Sequence, residues 1–345
     1  MKLNRILKRV GPGIGVFLGA VAAAGLLLFL VTQGDYRVPA TVVDDPALSQ
    51  TELNGLRFHY QIFGKENQEL VIGLHGGPGE DHHYLEVMSE LADRYRVVLY
   101  DQRGSGLSER VPDEELTMEG FIADLNAFVE HFSADDRAII IGHSWGAMLA
   151  AAYAGAHPEK VSRLVLAKPG FLTPEKFREY MQRTGNLAIP INLRMIGHML
   201  MTWFKSLHVK GPDPDARADF LYLNVAFGLP SKDHPLAGYW ADPVEAMSSL
   251  HIDRFGMRAG TVFRARYLDE EGNLAYSFVE NSRAYQKEVL FLSGEDNRII
   301  GPDYQREQMR YFPKARLEVI PDAGHSMFNE SPDYTFKVIR EYLDR

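Results

Sequence analysis

The sequence predicts an α/β protein: a mostly parallel sheet covered by helices, with a helical insertion. Three observations carry this. Short apolar, β-branched runs alternate with helix-like segments up to Ala167 and again from Glu288 onward. Between these stretches, from about Phe171 to Gln286, the alternation stops. The pentapeptide Gly142-His143-Ser144-Trp145-Gly146 lies between a strand-like run, Arg137 to Ile141, and an alanine-rich helical run, Ala147 to Ala154. Strands buried on both faces of a parallel sheet read as continuous apolar runs, as here.

At the N-terminus, Lys2, Arg5, Lys8 and Arg9 precede an uncharged run from Val10 to Val31. A bilayer-spanning helix needs about 20 residues, so residues 1–33 are expected to hold a transmembrane anchor. Asp35, Asp44 and Asp45 follow on the other side. The positive-inside rule then keeps the N-terminus in the cytoplasm and places the rest on the exoplasmic side, periplasmic or extracellular. A cleaved signal ending near Val38-Pro39-Ala40 is the alternative. Gly11, Gly15, Gly19 and Ala23 recur every four residues, a small-residue stripe that suits a homodimer. Residues 34–49, with Pro39 and Pro46, read as a linker.

The core is expected over 50–170 and 287–345, and the helical cap over 171–286. Asn54-Gly55 between Thr51–Leu53 and Leu56–Phe63 signals a hairpin. Leu70 to Leu74 is a strand ending in His75-Gly76-Gly77-Pro78-Gly79, and Tyr84 to Tyr95 reads as a helix. Arg96 to Tyr100 is a strand ending in Asp101-Gln102-Arg103-Gly104-Ser105-Gly106. Thr117 to Phe132 carries Phe121, Leu125 and Phe128 at helical spacing, and Val161 to Ala167 is a further strand. In the cap, Met195, Met199 and Trp203, with Ile196, Leu200 and Phe204 beside them, mark an apolar helix. Glu288 to Leu292 is a strand ending in Ser293-Gly294-Glu295-Asp296-Asn297, and Arg316 to Ile320 one ending in Pro321-Asp322-Ala323-Gly324-His325. Ser331-Pro332 opens a last helix through Leu343.

Composition narrows the function. A chain of 345 residues with 46% hydrophobic residues can bury a full core. Its net charge of −9 argues against a nucleic-acid partner. With no cysteine, disulfides, zinc–thiolate sites and a thiol nucleophile are excluded.

A G-x-S-x-G between strand and helix is a nucleophile elbow. It puts Ser144 at a helix N-terminus, where free N–H groups favour developing negative charge. A serine hydroxyl needs an adjacent base. His325, after the last strand, is placed to serve, with Glu295 or Asp296 as its acid. An extended segment would turn Glu295 and Asn297 one way and Asp296 the other; the two acids stay open. His143, next to Ser144 on a tight turn, points away from it. His82-His83 reads as a solvated loop. This chemistry asks for no cofactor and no metal, only a small-molecule or peptide substrate.

The runs His75–Gly79, Asp101–Gly106 and Gly142–Gly146 together resemble proline iminopeptidases within the α/β-hydrolase fold. The resemblance covers roughly Leu53 to Leu343 outside the cap. It implies an oxyanion hole from the backbone N–H groups of Trp145 and Gly77, with Gly76 as the alternative. It also implies that Asp101 and Arg103 brace the loop beside the site. The sequence departs from the family in two places. Asn297 stands at the usual position of the triad acid. The cap lacks the family's tryptophan–glutamate pattern for the substrate amine, although Asp242, Glu245 and Glu280 are available. The expected function is a membrane-anchored serine hydrolase of an ester or amide, an aminopeptidase of the iminopeptidase kind first. The alternatives are a carboxylesterase or lipase-like hydrolase of small acyl esters, and a non-catalytic binding protein of the same fold.

Overall fold

The structure, a computed structural model, describes residues 2–345 and, within the first helix, side chains from Gly15 onward. The chain divides into two compact units, Met1–Val38 with Ile191–Leu229, and Pro39–Pro190 with Pro230–Arg345.

The larger unit holds an eight-stranded sheet. In chain order its strands are β1 (Gln50–Leu53), β2 (Leu56–Phe63), β3 (Glu69–Leu74), β4 (Tyr95–Tyr100), β5 (Ala138–His143), β6 (Val161–Ala167), β7 (Val289–Gly294) and β8 (Ala315–Ile320). Their order across the sheet is β8-β7-β6-β5-β3-β4-β2-β1. β1 and β2 pair antiparallel, β2 joins β4 antiparallel, and all other pairings are parallel. The β1–β2 turn uses Asn54 at φ 53° and Gly55 at φ 77°, the left-handed pair that a two-residue hairpin requires.

The central strands bury both faces. Along β5, Ala138 and Ile140 face one core and Ile139 and Ile141 the other. The first core is closed by the helices Met118–Phe132 and Trp145–Ala156, which bring Phe121, Leu125, Phe128 and Tyr153 to it. Thr117 caps the former by accepting the Gly120 N–H at 3.1 Å. The second core is closed by Pro332–Leu343, through Phe336, Ile339 and Tyr342. The segment read as a helix from Tyr84 to Tyr95 winds instead as 3-10 turns over His83–Asp93, packing Leu85, Met88 and Leu91 into the same core.

The expected cap is mainly helical and falls into both units. Pro174–Arg183, Pro243–Ser248 and Met257–Arg266 belong to the larger unit; Leu193–Ser206 and Ala216–Phe227 belong to the smaller. In the smaller unit the helix Lys2–Val31 packs on Leu193–Ser206. Tyr36–Arg37, within the expected linker, pairs parallel with Val209–Lys210. Of the apolar stripe, Met195 and Phe204 are buried, whereas Met199, Leu200 and Trp203 are exposed.

The transmembrane expectation is corrected. Among the described residues no helix is long and apolar enough to cross a membrane, so the single-pass anchor and the exoplasmic placement of the catalytic domain fall with it. The first part of the expected span, Val10 to Ile14, lies outside the residues whose side chains are described. The homodimer stripe finds no support either. Gly11 lies outside that same range.

Candidate active site

β5 ends at His143 and the next helix begins at Trp145, leaving Ser144 as the hinge at φ 54°, ψ −115°. A non-glycine residue held there stores about 1–3 kcal/mol of strain. Its N–H donates to the Ala167 carbonyl at 2.9 Å, which ties the hinge to β6. The flanking glycines are steric necessities. A Cβ on Gly146 would stand 2.1 Å from the Leu74 carbonyl oxygen, and one on Gly142 would stand 2.3 Å from that of Gly146. Ser144 is half-buried. The Trp145 N–H, in the first turn of the helix, finds no backbone acceptor among the described residues.

A hydrogen-bond chain runs from the His75–Gly79 loop to the His325 loop. Gly76 N–H donates to Tyr84 Oη at 2.7 Å, and that oxygen lies 2.8 Å from His143 Nδ1. His143 Nε2 lies 2.8 Å from the His325 carbonyl oxygen. A carbonyl only accepts, so Nε2 carries the proton and Nδ1 accepts from the tyrosine. Burial holds His143 down to about 3. Both its nitrogens are occupied, and it is not available as a base. The chain also separates the two oxyanion candidates. The Gly76 N–H is taken by Tyr84, whereas that of Gly77 has no acceptor among the described residues.

A second set of bonds ties the motifs together. Gln102 N–H donates to His75 Nε2 at 2.9 Å, Gln102 Nε2 to the His75 carbonyl at 3.0 Å, and Trp145 Nε1 to Gln102 Oε1 at 2.7 Å. Asp101 accepts from the backbone of His82 and Leu107 and bonds the His82 and His59 rings, at 2.7 to 3.1 Å. Arg103 grips Asp124 bidentately at 2.6 and 2.7 Å. Asp101 and Arg103 therefore brace the loop. His82 is buried against Asp101, contrary to its reading as solvated, while His83 is half-exposed.

His325 is buried. Tyr239 stacks on it, with ring centroids 4.1 Å apart and planes 9° apart, and the His143 ring lies at 4.7 Å. Among the described residues its Nδ1 has no hydrogen-bond partner. Burial, with smaller contributions from His143 and Lys168, holds its pKa well below 6.5. Neither Glu295 nor Asp296 bonds it among the described residues. Glu295 is exposed, Asp296 half-buried and Asn297 buried. The strict alternation expected of an extended segment does not apply, because β7 ends at Gly294 and Glu295-Asp296 form a turn. Asn297 Oδ1 accepts the Ile299 and Ile300 N–H groups at 3.0 and 2.9 Å, and its Nδ2 is unpartnered.

Sequence reasoning missed three residues around this centre: Tyr84, Tyr239 and Lys168. Lys168 is fully buried just after β6, with φ 50° and, among the described residues, no hydrogen bond from its Nζ. Burial lowers it to about 7 against the pull of Glu330 and Asp296. A lysine just after an apolar strand was the available signal.

Two groups gather metal-type ligands, His59, His82 and Asp101, and His83, His251 and Asp253. In the first, the Asp101 oxygens already accept the bonds described above. The second is mostly exposed.

With this geometry in view, the comparisons with known proteins are direct. The family model for the alpha/beta hydrolase fold matches residues 69–332. The chain belongs to that family. It is 38% identical to a proline iminopeptidase of Lactobacillus acidophilus over 300 residues, 84% of this chain and 95% of that protein. It is 30% identical to a cis-3-alkyl-4-alkyloxetan-2-one decarboxylase of Shewanella oneidensis over 304 residues, 84% of this chain and 86% of that protein. The crystal structure of a proline iminopeptidase from Mycobacterium smegmatis superposes with a TM-score of 0.58 at 21% identity, covering 86% of this chain and 97% of that one. The expected α/β-hydrolase fold and the resemblance to proline iminopeptidases both hold.

Proposed function

We propose that this hydrolase attacks an ester or amide carbonyl through Ser144, with His325 as base and Asp296 as its orienting acid. The observation that carries the reading is the backbone of Ser144, held at φ 54° between two glycines that admit no side chain. Asp296 is preferred to the exposed Glu295 because it is half-buried and interacts with Lys168, whose charge also reaches His325.

In this mechanism His325 takes the Ser144 proton as Oγ bonds the carbonyl carbon. The Gly77 and Trp145 N–H groups hold the oxyanion, and losing one such donor typically costs about 10²–10³ in rate. His325 then gives the proton to the leaving amine or alcohol, and the carbonyl–heteroatom bond breaks. Water, deprotonated by His325, cleaves the acyl-enzyme and regenerates Ser144. Among substrates, a peptide or arylamide with an N-terminal proline comes first, on the strength of the relatives named above.

A fluorophosphonate should label the protein, and Ser144→Ala should abolish labelling and turnover, a loss on the order of 10⁶ in kcat. Undiminished labelling of Ser144→Ala would sink the assignment. Absence of both labelling and turnover in the unaltered protein would favour a non-catalytic binding protein.

A further inference from the structure

Glu80 directly follows the His75–Gly79 run, and the mechanism above does not use it. Its carboxylate occupies the space that Gly76 leaves open: a Cβ on Gly76 would stand 2.7 Å from Glu80 Oε2 and 3.2 Å from Tyr84 Oη. The group thus lies against the backbone just before the Gly77 N–H. It also interacts electrostatically with the hydroxyls of Tyr84 and Tyr239, and Tyr239 is the ring stacked on His325.

Among the described residues Glu80 has no hydrogen bond and no ion pair. It is half-buried. Burial alone pushes its carboxyl up to about 7, with no cation or donor to offset it. Its neighbour Asp81 differs in this respect, since its carboxylate accepts from the Asp253, Arg254 and His83 N–H groups. The cap carboxylates Asp242, Glu245 and Glu280 are differently engaged. Asp242 caps the helix Pro243–Ser248 through the Val244 and Glu245 N–H groups, and Glu245 and Glu280 are exposed. A desolvated carboxylate without a counter-ion is complementary to one kind of ligand group, a cation that supplies both charge and donors.

We propose that Glu80 receives the protonated amine of the substrate, making the preferred substrate an N-terminal residue whose ammonium is free. The proposal rests on the aminopeptidase reading of the Ser144 site. It moves the amine-binding carboxylate from the cap to the loop that carries the oxyanion donor. Glu80 is then a specificity residue that touches substrate but moves no proton in the reaction.

The test uses the full chain and three chromogenic substrates: a prolyl arylamide, its N-acetylated form and a short acyl ester. Glu80→Gln keeps size and removes charge, and because Glu80 has no partner to lose among the described residues, the variant is expected to fold. Glu80→Asp, which keeps the charge but withdraws it, is the second variant. The unaltered protein should strongly prefer the free amine. Glu80→Gln should lower kcat/KM for the prolyl arylamide about 10- to 100-fold, mainly through KM, the scale of a lost charge-assisted hydrogen bond. Ester turnover should stay within about threefold, because uniform binding of the amine is what has been removed. Glu80→Asp should fall between. A preference for the free amine that survives in both variants would overturn the role of Glu80 and leave the aminopeptidase reading standing. Equal losses on amide and ester would reduce Glu80 to a structural residue. No preference for the free amine in the unaltered protein would defeat the aminopeptidase reading itself.

Discussion

Tyr84→Phe removes one oxygen, and that oxygen joins two loops of the site. It accepts the Gly76 N–H at 2.7 Å and bonds His143 Nδ1 at 2.8 Å. Both partners are buried, and neither has another hydrogen bond at the freed atom. Leaving a buried polar group unsatisfied costs about 1–3 kcal/mol. Two such groups give about 2–6 kcal/mol, lessened by the desolvation cost that the tyrosine hydroxyl itself no longer bears. A loss of about 2–4 kcal/mol follows, measured by urea denaturation of the larger unit's transition. The kinetic effect has a separate origin. Without its anchor the Gly76–Gly77 segment is freer to turn the proposed oxyanion donor away, and His143 holds the His325 carbonyl less firmly. A fall in kcat of about tenfold with KM little changed is expected, less than the full loss of an oxyanion donor. A stability change under about 0.5 kcal/mol together with unchanged kcat would refute the reasoning, because it would mean that the chain from Gly76 to His325 organises nothing.

Two further outcomes follow from the same geometry. Asp124→Asn leaves Arg103 buried with its bidentate partner neutralised. It should destabilise the protein by about 3–5 kcal/mol in chemical denaturation, and a change under about 1 kcal/mol would show that the brace is dispensable. The pH profile tests His325. A base must be neutral, and burial holds this histidine well below 6.5. The folded pKa is depressed, so the neutral form persists as pH falls through 6.5 and is lost only further down. kcat/KM for a neutral ester should therefore stay level from pH 8 to about 6. An acid limb already half-complete near pH 7 would contradict the buried, Tyr239-stacked placement of the ring.

What the sequence carried and what it did not divide along physical lines. β3, β5, β6 and β7 were legible because strands buried on two faces must be apolar without interruption, as Ile139-Ile140-Ile141 is. The elbow was legible because its glycines answer to steric limits within a few residues, and 2.1 Å from Gly146 to the Leu74 oxygen leaves no alternative. The cap was legible only as an absence of rhythm, since its helices pack by contacts far apart in sequence. The acid proposed to orient His325 was not legible, because the placing of Glu295 and Asp296 depends on whether they continue β7 or turn away from it, a choice made by tertiary bonds such as Asp296 N–H to the Ala323 carbonyl at 3.0 Å. The same limit hid Glu80. A glutamate after a glycine-rich loop is unremarkable by type and position, and what distinguishes it is that, among the described residues, no arginine, lysine or backbone donor comes to meet it. Absence of a partner is a property of the folded neighbourhood. It becomes visible only when the carboxylate is found lying in the hollow of Gly76, with Tyr84 on one side and the Tyr239–His325 stack within reach of its charge.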